Sequence, residues 1–154
     1  MLRYARTARI AATAVLFAVS VTLAQNAPSA AEQKVNDAID KGLSYLKTQQ
    51  KPDGGWQAEQ QPPGVTAIVL HAFVDDSPTY TADTDFIKKG YDKLLSYQAE
   101  DGGIYKDAQT NYNTAIGISA LAAANKPQYK PNIDKAVAYL KGLQWSDINE
   151  SAET

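Results

Sequence analysis

The feature that most constrains this chain is internal repetition at an offset of 48 residues. Ile39, Gly42, Leu46 and Gln50 recur as Ile87, Gly90, Leu94 and Gln98. The register then runs without a gap through Asp53, Gly54, Gly55 and Trp56 over Asp101, Gly102, Gly103 and Ile104, and through Thr66, Ala67 and Ile68 over Thr114, Ala115 and Ile116. A third copy opens 46 residues later with Ile133, Ala136, Leu140 and Gln144, and it has neither the Asp-Gly-Gly string nor a second apolar segment. Units of this length are single supersecondary pieces that cannot bury their apolar faces alone, so they stack on their neighbours.

Within each unit the apolar spacing is helical. Val35, Ile39, Leu43 and Leu46 share one face, as do Ile87, Tyr91, Leu94 and Leu95, which predicts amphipathic helices over 36–49 and 86–97. The segments 65–74 and 114–124 are apolar nearly all round, broken mainly by Thr66, His71, Gly117 and Ser119. Such a helix is expected to be buried on most sides. Each unit therefore reads as a hairpin of one half-exposed and one buried helix, and the fold class as all-α.

The link inside each hairpin explains its own composition. Pro52 stops the first helix, Gly54 and Gly55 are free to take positive φ, and Asp53 and Asp101 can accept hydrogen bonds from turn amides. Residues 77–84 form a longer link that ends on Thr84, an expected N-cap for a helix starting at Asp85. Pro131 or Asn132 is expected in the first turn of the third unit's helix.

The N-terminus has the pattern of a secretory signal. Arg3, Arg6 and Arg9 precede an uncharged apolar run over 10–23, and the small residues around Ala24 suit cleavage there. The run is shorter than the roughly 18 to 20 residues of a spanning helix, so export with no stable membrane span is expected. Without residues 1–24 the chain carries 12 lysines against 17 carboxylates and no arginine, a net charge of −5. An acidic chain with scattered lysines is not built to neutralise a phosphate backbone, which argues against nucleic acid as a partner. Cysteine is absent, which excludes disulfides and thiolate chemistry. The expected organisation is a signal over 1–24, a linker over 25–32, helical repeats over 33–145 and a tail or truncation point over 146–154.

The strings around Gln50, Asp53, Gly54, Gly55 and Trp56 and around Gln98, Asp101, Gly102, Gly103 and Tyr105 resemble the repeat of the prenyltransferase and squalene oxidase repeat family. This is the superfamily of squalene-hopene cyclases and protein prenyltransferase β subunits. There a glutamine closes one helix and an Asp-Gly-Gly turn with a following aromatic leads into the next. The resemblance implies an alpha/alpha toroid of helical hairpins around an apolar cavity. About two and a half repeats leave such a ring incomplete, so the expected partner is the remainder of the toroid or another chain.

The chemistry of that superfamily does not transfer residue by residue. A cyclase protonates an alkene with a DxDD acid, and the nearest candidates here are Asp75, Asp76, Asp83 and Asp85, which surround a Ser/Thr/Pro-rich link and read as turn and cap residues. A prenyltransferase zinc site needs Asp, Cys and His, whereas this chain has the single histidine His71 and no cysteine, so no metal site is expected. His71 reads as a hydrogen-bonded core residue. No GxGxxG string is present and no cofactor is expected. Trp56, Tyr105 and Tyr112 could line a cavity for a carbocation, although the first two follow the turns and are expected to pack over them.

Three functional readings compete on this basis. The first is an exported prenyltransferase- or squalene cyclase-like repeat protein without a complete catalytic site in this chain. The second is a non-catalytic interaction or apolar-ligand-binding module. The third is a polysaccharide lyase-like enzyme fragment, which the absence of arginine beyond residue 24 disfavours.

Overall fold

The computed structural model describes residues 28–56, 62–75 and 79–144, and the chain divides into two compact units, 1–38 and 39–154. The expected signal peptide, Asp76 and the 146–154 tail lie outside the described residues. Among the described residues the regular elements are α1 (Ala30–Thr48), α2 (Gly64–Asp75), α3 (Asp85–Leu95), α4 (Thr110–Ala123), a short 3-10 turn (Pro127–Tyr129) and α5 (Lys130–Gly142). The protein is all-α.

The described part of the first unit is the start of α1, which opens at Ala30, inside the expected linker over 25–32. Ser29 and Glu32 explain this with a reciprocal cap: the Ser29 N–H donates to Glu32 Oε2 at 2.6 Å and the Glu32 N–H donates to Ser29 Oγ at 3.2 Å. The Ser29 N–H bond holds the Glu32 carboxyl below its ordinary range.

In the second unit α2 and α4 pack side by side in the most extensive helix contact, with α3 laid on α2 and α5 on α4. The amphipathic helix of each hairpin therefore rests on the apolar helix of the hairpin before it. Leu70, Phe73, Ile87, Tyr91, Leu94, Ile104 and Leu121 are essentially inaccessible and fill the space between the layers. Fully burying a side chain of this size contributes about 1.5 to 3 kcal/mol. Phe73 stands at the centre of an aromatic cluster, edge-on to Tyr80 at 5.2 Å and to Phe86 at 5.1 Å, with Trp56 at 6.0 Å. Over the expected spans the order of burial holds, clearly for 65–74 against 36–49 and narrowly for 114–124 against 86–97.

The repeated polar residues are the joints of this stack. Gln50 Nε2 donates to the Gly54 carbonyl of its own turn at 2.9 Å and to the Phe86 carbonyl, in the first turn of the next hairpin, at 2.7 Å. Gln98 does the same toward Gly102 at 3.0 Å and Asn132 at 2.9 Å. One amide thus closes its own turn and latches the following unit, which is why glutamine recurs there. Thr66 and Thr114 have a matching role: their hydroxyls accept the N–H of Trp56 and of Ile104, each at 2.9 Å. A threonine inside an apolar helix is satisfied in this way without breaking the core.

The turns refine the expectation of two positive-φ glycines. Gly54 and Gly102 take φ of 93° and 91°, and these are the only positive-φ glycines among the described residues. The second glycine of each turn instead gives its N–H to the aspartate, Gly55 to Asp53 Oδ1 at 3.0 Å and Gly103 to Asp101 Oδ1 at 2.9 Å. Thr84 occupies the N-cap of α3, but its hydroxyl accepts from the Thr81 N–H at 3.2 Å rather than from the helix.

Asp53 gives the fold an acid limit. The Gly55 N–H first, and then Lys93 at 3.0 Å, hold its carboxyl below the ordinary 3.8. A carboxylate depressed in the folded state stabilises above its unfolded pKa, and that contribution is lost as pH falls through the folded value. Thermal denaturation followed from pH 5 down to pH 2 should therefore show a falling midpoint below about pH 4. Asp53→Asn, which keeps an acceptor for Gly55 but titrates no charge, should flatten that fall. An unchanged slope in the variant would remove Asp53 from the acid limb. The gain is modest in any case, because the Asp53 side chain is half exposed.

Candidate functional site

The apolar helices α2 and α4 do not spend their whole circumference on the core. Leu70, Phe73 and Ala67 of α2 and Ala120 and Leu121 of α4 are enclosed, whereas Val65 is 37%, Ile68 51% and Tyr112 56% exposed. Expected burial on most sides is thus corrected on one side: each helix has an apolar stripe that no other described element covers. The reason is the packing: α3 lies on α2 and α5 on α4, and these contacts leave the Val65, Ile68 and Tyr112 side of the two helices open.

An open groove of about 230 Å³ runs across that face, lined by Ile68 and His71 of α2 and by Ile116 and Ser119 of α4. Its construction follows from the repeat. Ile68 and Ile116 stand 48 residues apart, and so do His71 and Ser119. Two consecutive hairpins therefore present the same two positions to the groove, a row of isoleucine and a row of polar side chains. Tyr112, one helical turn before Ile116, extends the stripe toward the N-terminus of α4. The volume is below the roughly 300 to 1,000 Å³ of a site that encloses a drug-sized ligand, so the groove is one wall of a binding surface rather than a closed pocket.

The two groove helices are joined at their N-terminal ends by a buried polar residue that the pattern of residues did not single out. Asn113 is inaccessible to solvent. Its Oδ1 accepts the Gly64 N–H, at the first residue of α2, at 3.1 Å, and its Nδ2 donates to the carbonyls of Gln109 at 2.9 Å and Ala108 at 3.2 Å. One side chain thus caps α2 and holds the left-handed Gln109 that enters α4, setting the two groove helices against each other. Its only trace in the sequence is an asparagine where the first unit has Val65.

The other candidates do not converge on the groove. Asp75, Asp83 and Asp85 are exposed at the ends of α2 and α3, and Asp83 is paired with Lys126. Trp56 is held under its turn by donating Nε1–H to the Leu46 carbonyl at 2.7 Å. Tyr105 donates its hydroxyl to Asp101 Oδ2 at 2.7 Å, which pushes its pKa up to about 12, and its ring lies 5.6 Å from Tyr139. Of the proposed cavity aromatics only Tyr112 belongs to the open face. His71, expected as a core histidine, is instead half-buried at the groove. Among the described residues no group of three His, Cys, Asp or Glu side chains could hold a metal ion, and no helix is long and apolar enough to cross a membrane.

No protein-family model matches the chain, and no solved structure matches it. A curated lanosterol synthase of Aspergillus fumigatus is similar at 26% identity over 134 residues, which cover 76% of this chain and 17% of that protein. The chain therefore spans about a sixth of the length of the relative it matches. This distant similarity fits the resemblance of the repeats to the squalene cyclase superfamily and does not by itself place the chain in it.

Proposed function

We propose that this chain is an exported, squalene cyclase-like repeat protein whose α2/α4 face takes an apolar ligand, and that its hairpins are a segment of a toroid-type wall without a complete catalytic site. The observation that carries this reading is the uncovered apolar stripe of Val65, Ile68 and Tyr112, beside a groove in which Ile68 recurs as Ile116. A soluble protein gains nothing from holding Val65, Ile68 and Tyr112 in water, and an exposed apolar face of this kind marks a binding surface. Support comes from the distant similarity to a lanosterol synthase, from the basic and apolar N-terminal pattern, and from the absence of convergence among Asp75, Asp83, Asp85 and His71.

The test isolates the protein from the exported fraction, where its N-terminal residue should be Gln25, and titrates it with the apolar dye N-phenyl-1-naphthylamine. Dye fluorescence should rise saturably with the wild type. Ile68→Asp with Ile116→Asp should weaken binding by tenfold or more, since two charges would have to be desolvated. Equal binding by the wild type and the double variant would end the apolar-ligand reading, and an unprocessed N-terminus in the cell fraction would end the export reading.

A further inference from the structure

The repeat shows what the face of α1 is shaped to hold. Gly42, Gly90 and Ala136 occupy one position in the three units. In α3 that position is filled by the preceding hairpin: a β-carbon on Gly90 would stand 2.7 Å from Leu70 of α2 and 2.9 Å from the Trp56 ring. The seat at Gly90 thus holds one branched aliphatic chain and one aromatic ring, and in α5 the equivalent Ala136 is likewise inaccessible to solvent. In α1 the same seat has no cover. Gly42 is exposed, and a β-carbon there would meet no described residue within 4 Å. Ile39 is partly exposed where its equivalent Ile87 is fully buried, and Tyr45, one helical turn beyond Gly42, is 63% exposed.

A surface of the kind that fills this seat lies open elsewhere on the chain. Ile68 of α2 and Tyr112 of α4 are 51% and 56% exposed, again a branched aliphatic chain and an aromatic ring carried by apolar helices. Seat and stripe are both exposed, so they do not meet within one molecule. We propose that the chain pairs with a second copy of itself, the Gly42 seat of each α1 taking the Ile68 and Tyr112 stripe of the other. Made twice about a two-fold axis, this contact covers both seats and both stripes, the isologous arrangement common to dimers. A glycine at the seat lets the partner's helix approach closely, and covering the stripe removes from water apolar surface that a lone molecule leaves exposed. The pairing goes beyond the apolar-ligand reading and does not rest on it: a second copy and a ligand use the same stripe and exclude one another.

Sedimentation equilibrium of the full chain should give a mass that approaches twice that of the monomer as concentration rises. Gly42→Glu should raise the dimer dissociation constant by about tenfold or more, since a carboxylate would have to be desolvated in the seat. The variant should fold, because the position is open and glutamate is a better helix former than glycine. Ile68→Asp should weaken the pair as strongly from the other side. An equimolar mixture of the two variants should pair more tightly than either alone, because the seat of the Ile68→Asp chain and the stripe of the Gly42→Glu chain are both intact. A wild type that stays monomeric at every concentration overturns the pairing, as does a Gly42→Glu protein that dimerises like the wild type or a mixture that gains nothing. The dye decides the other reading separately. Saturable binding of N-phenyl-1-naphthylamine by the Gly42→Glu monomer supports the apolar-ligand surface whatever the wild type's mass, and its absence in that folded monomer ends the ligand reading alone.

Discussion

Gly54→Val should lower the stability of the protein by about 3 to 5 kcal/mol, the sum of a strained left-handed side chain and a forced backbone shift. At φ +93° a β-carbon would run into the Lys89 carbonyl oxygen and stand 2.9 Å from its carbon, both backbone atoms of α3 that cannot swing aside. In urea this is a midpoint drop of about 2 M for a domain of this size. The contrast within the repeat makes the test sharp. Gly42 and Gly90 share one repeat position, yet a β-carbon on Gly90 would meet Leu70 at 2.7 Å and Trp56 at 2.9 Å, while one on Gly42 meets nothing within 4 Å. Gly42→Ala, in the interior of α1, should therefore stabilise by about 0.5 to 1 kcal/mol. A Gly54→Val protein that loses less than 1 kcal/mol would show that the turn is not locked against α3.

Asn113→Leu should cost about 2 to 4 kcal/mol although the leucine is of similar volume. The substitution leaves the Gly64 N–H buried without its partner, which costs about 1 to 3 kcal/mol, and the lost bonds to the Gln109 and Ala108 carbonyls add to it. Hydrogen exchange gives the specific readout: the Gly64 amide should lose protection well before the amides in the middle of α4. Uniform loss of protection along the whole chain would mean that Asn113 only fills space. The same variant should disturb the dye site, because Asn113 is what ties the two groove helices together at their N-terminal ends.

The joints of the stack were readable where they repeat. Gln50 and Gln98, the aspartates of the turns and the Thr-Ala-Ile strings recur in register, and each proves to hold a defined hydrogen bond. Features present once were not readable. Asn113 occurs in only one unit, and its role depends on the first residue of a helix 49 positions away. The reciprocal cap of Ser29 and Glu32 is local and could have been found from the Ser-x-x-Glu spacing alone.

The amino-acid order by itself determined the helical hairpins, their 48-residue offset, the proline and glycine turns and the amphipathic or apolar character of each helix, because these rest on contacts within a few residues and on the period of a helix. Only the tertiary structure decided which side of the apolar helices stays uncovered. An all-apolar helix has no preferred face of its own, so the open stripe of Val65, Ile68 and Tyr112 and the placement of His71 and Ser119 at the groove follow from where α3 packs on α2 and α5 on α4.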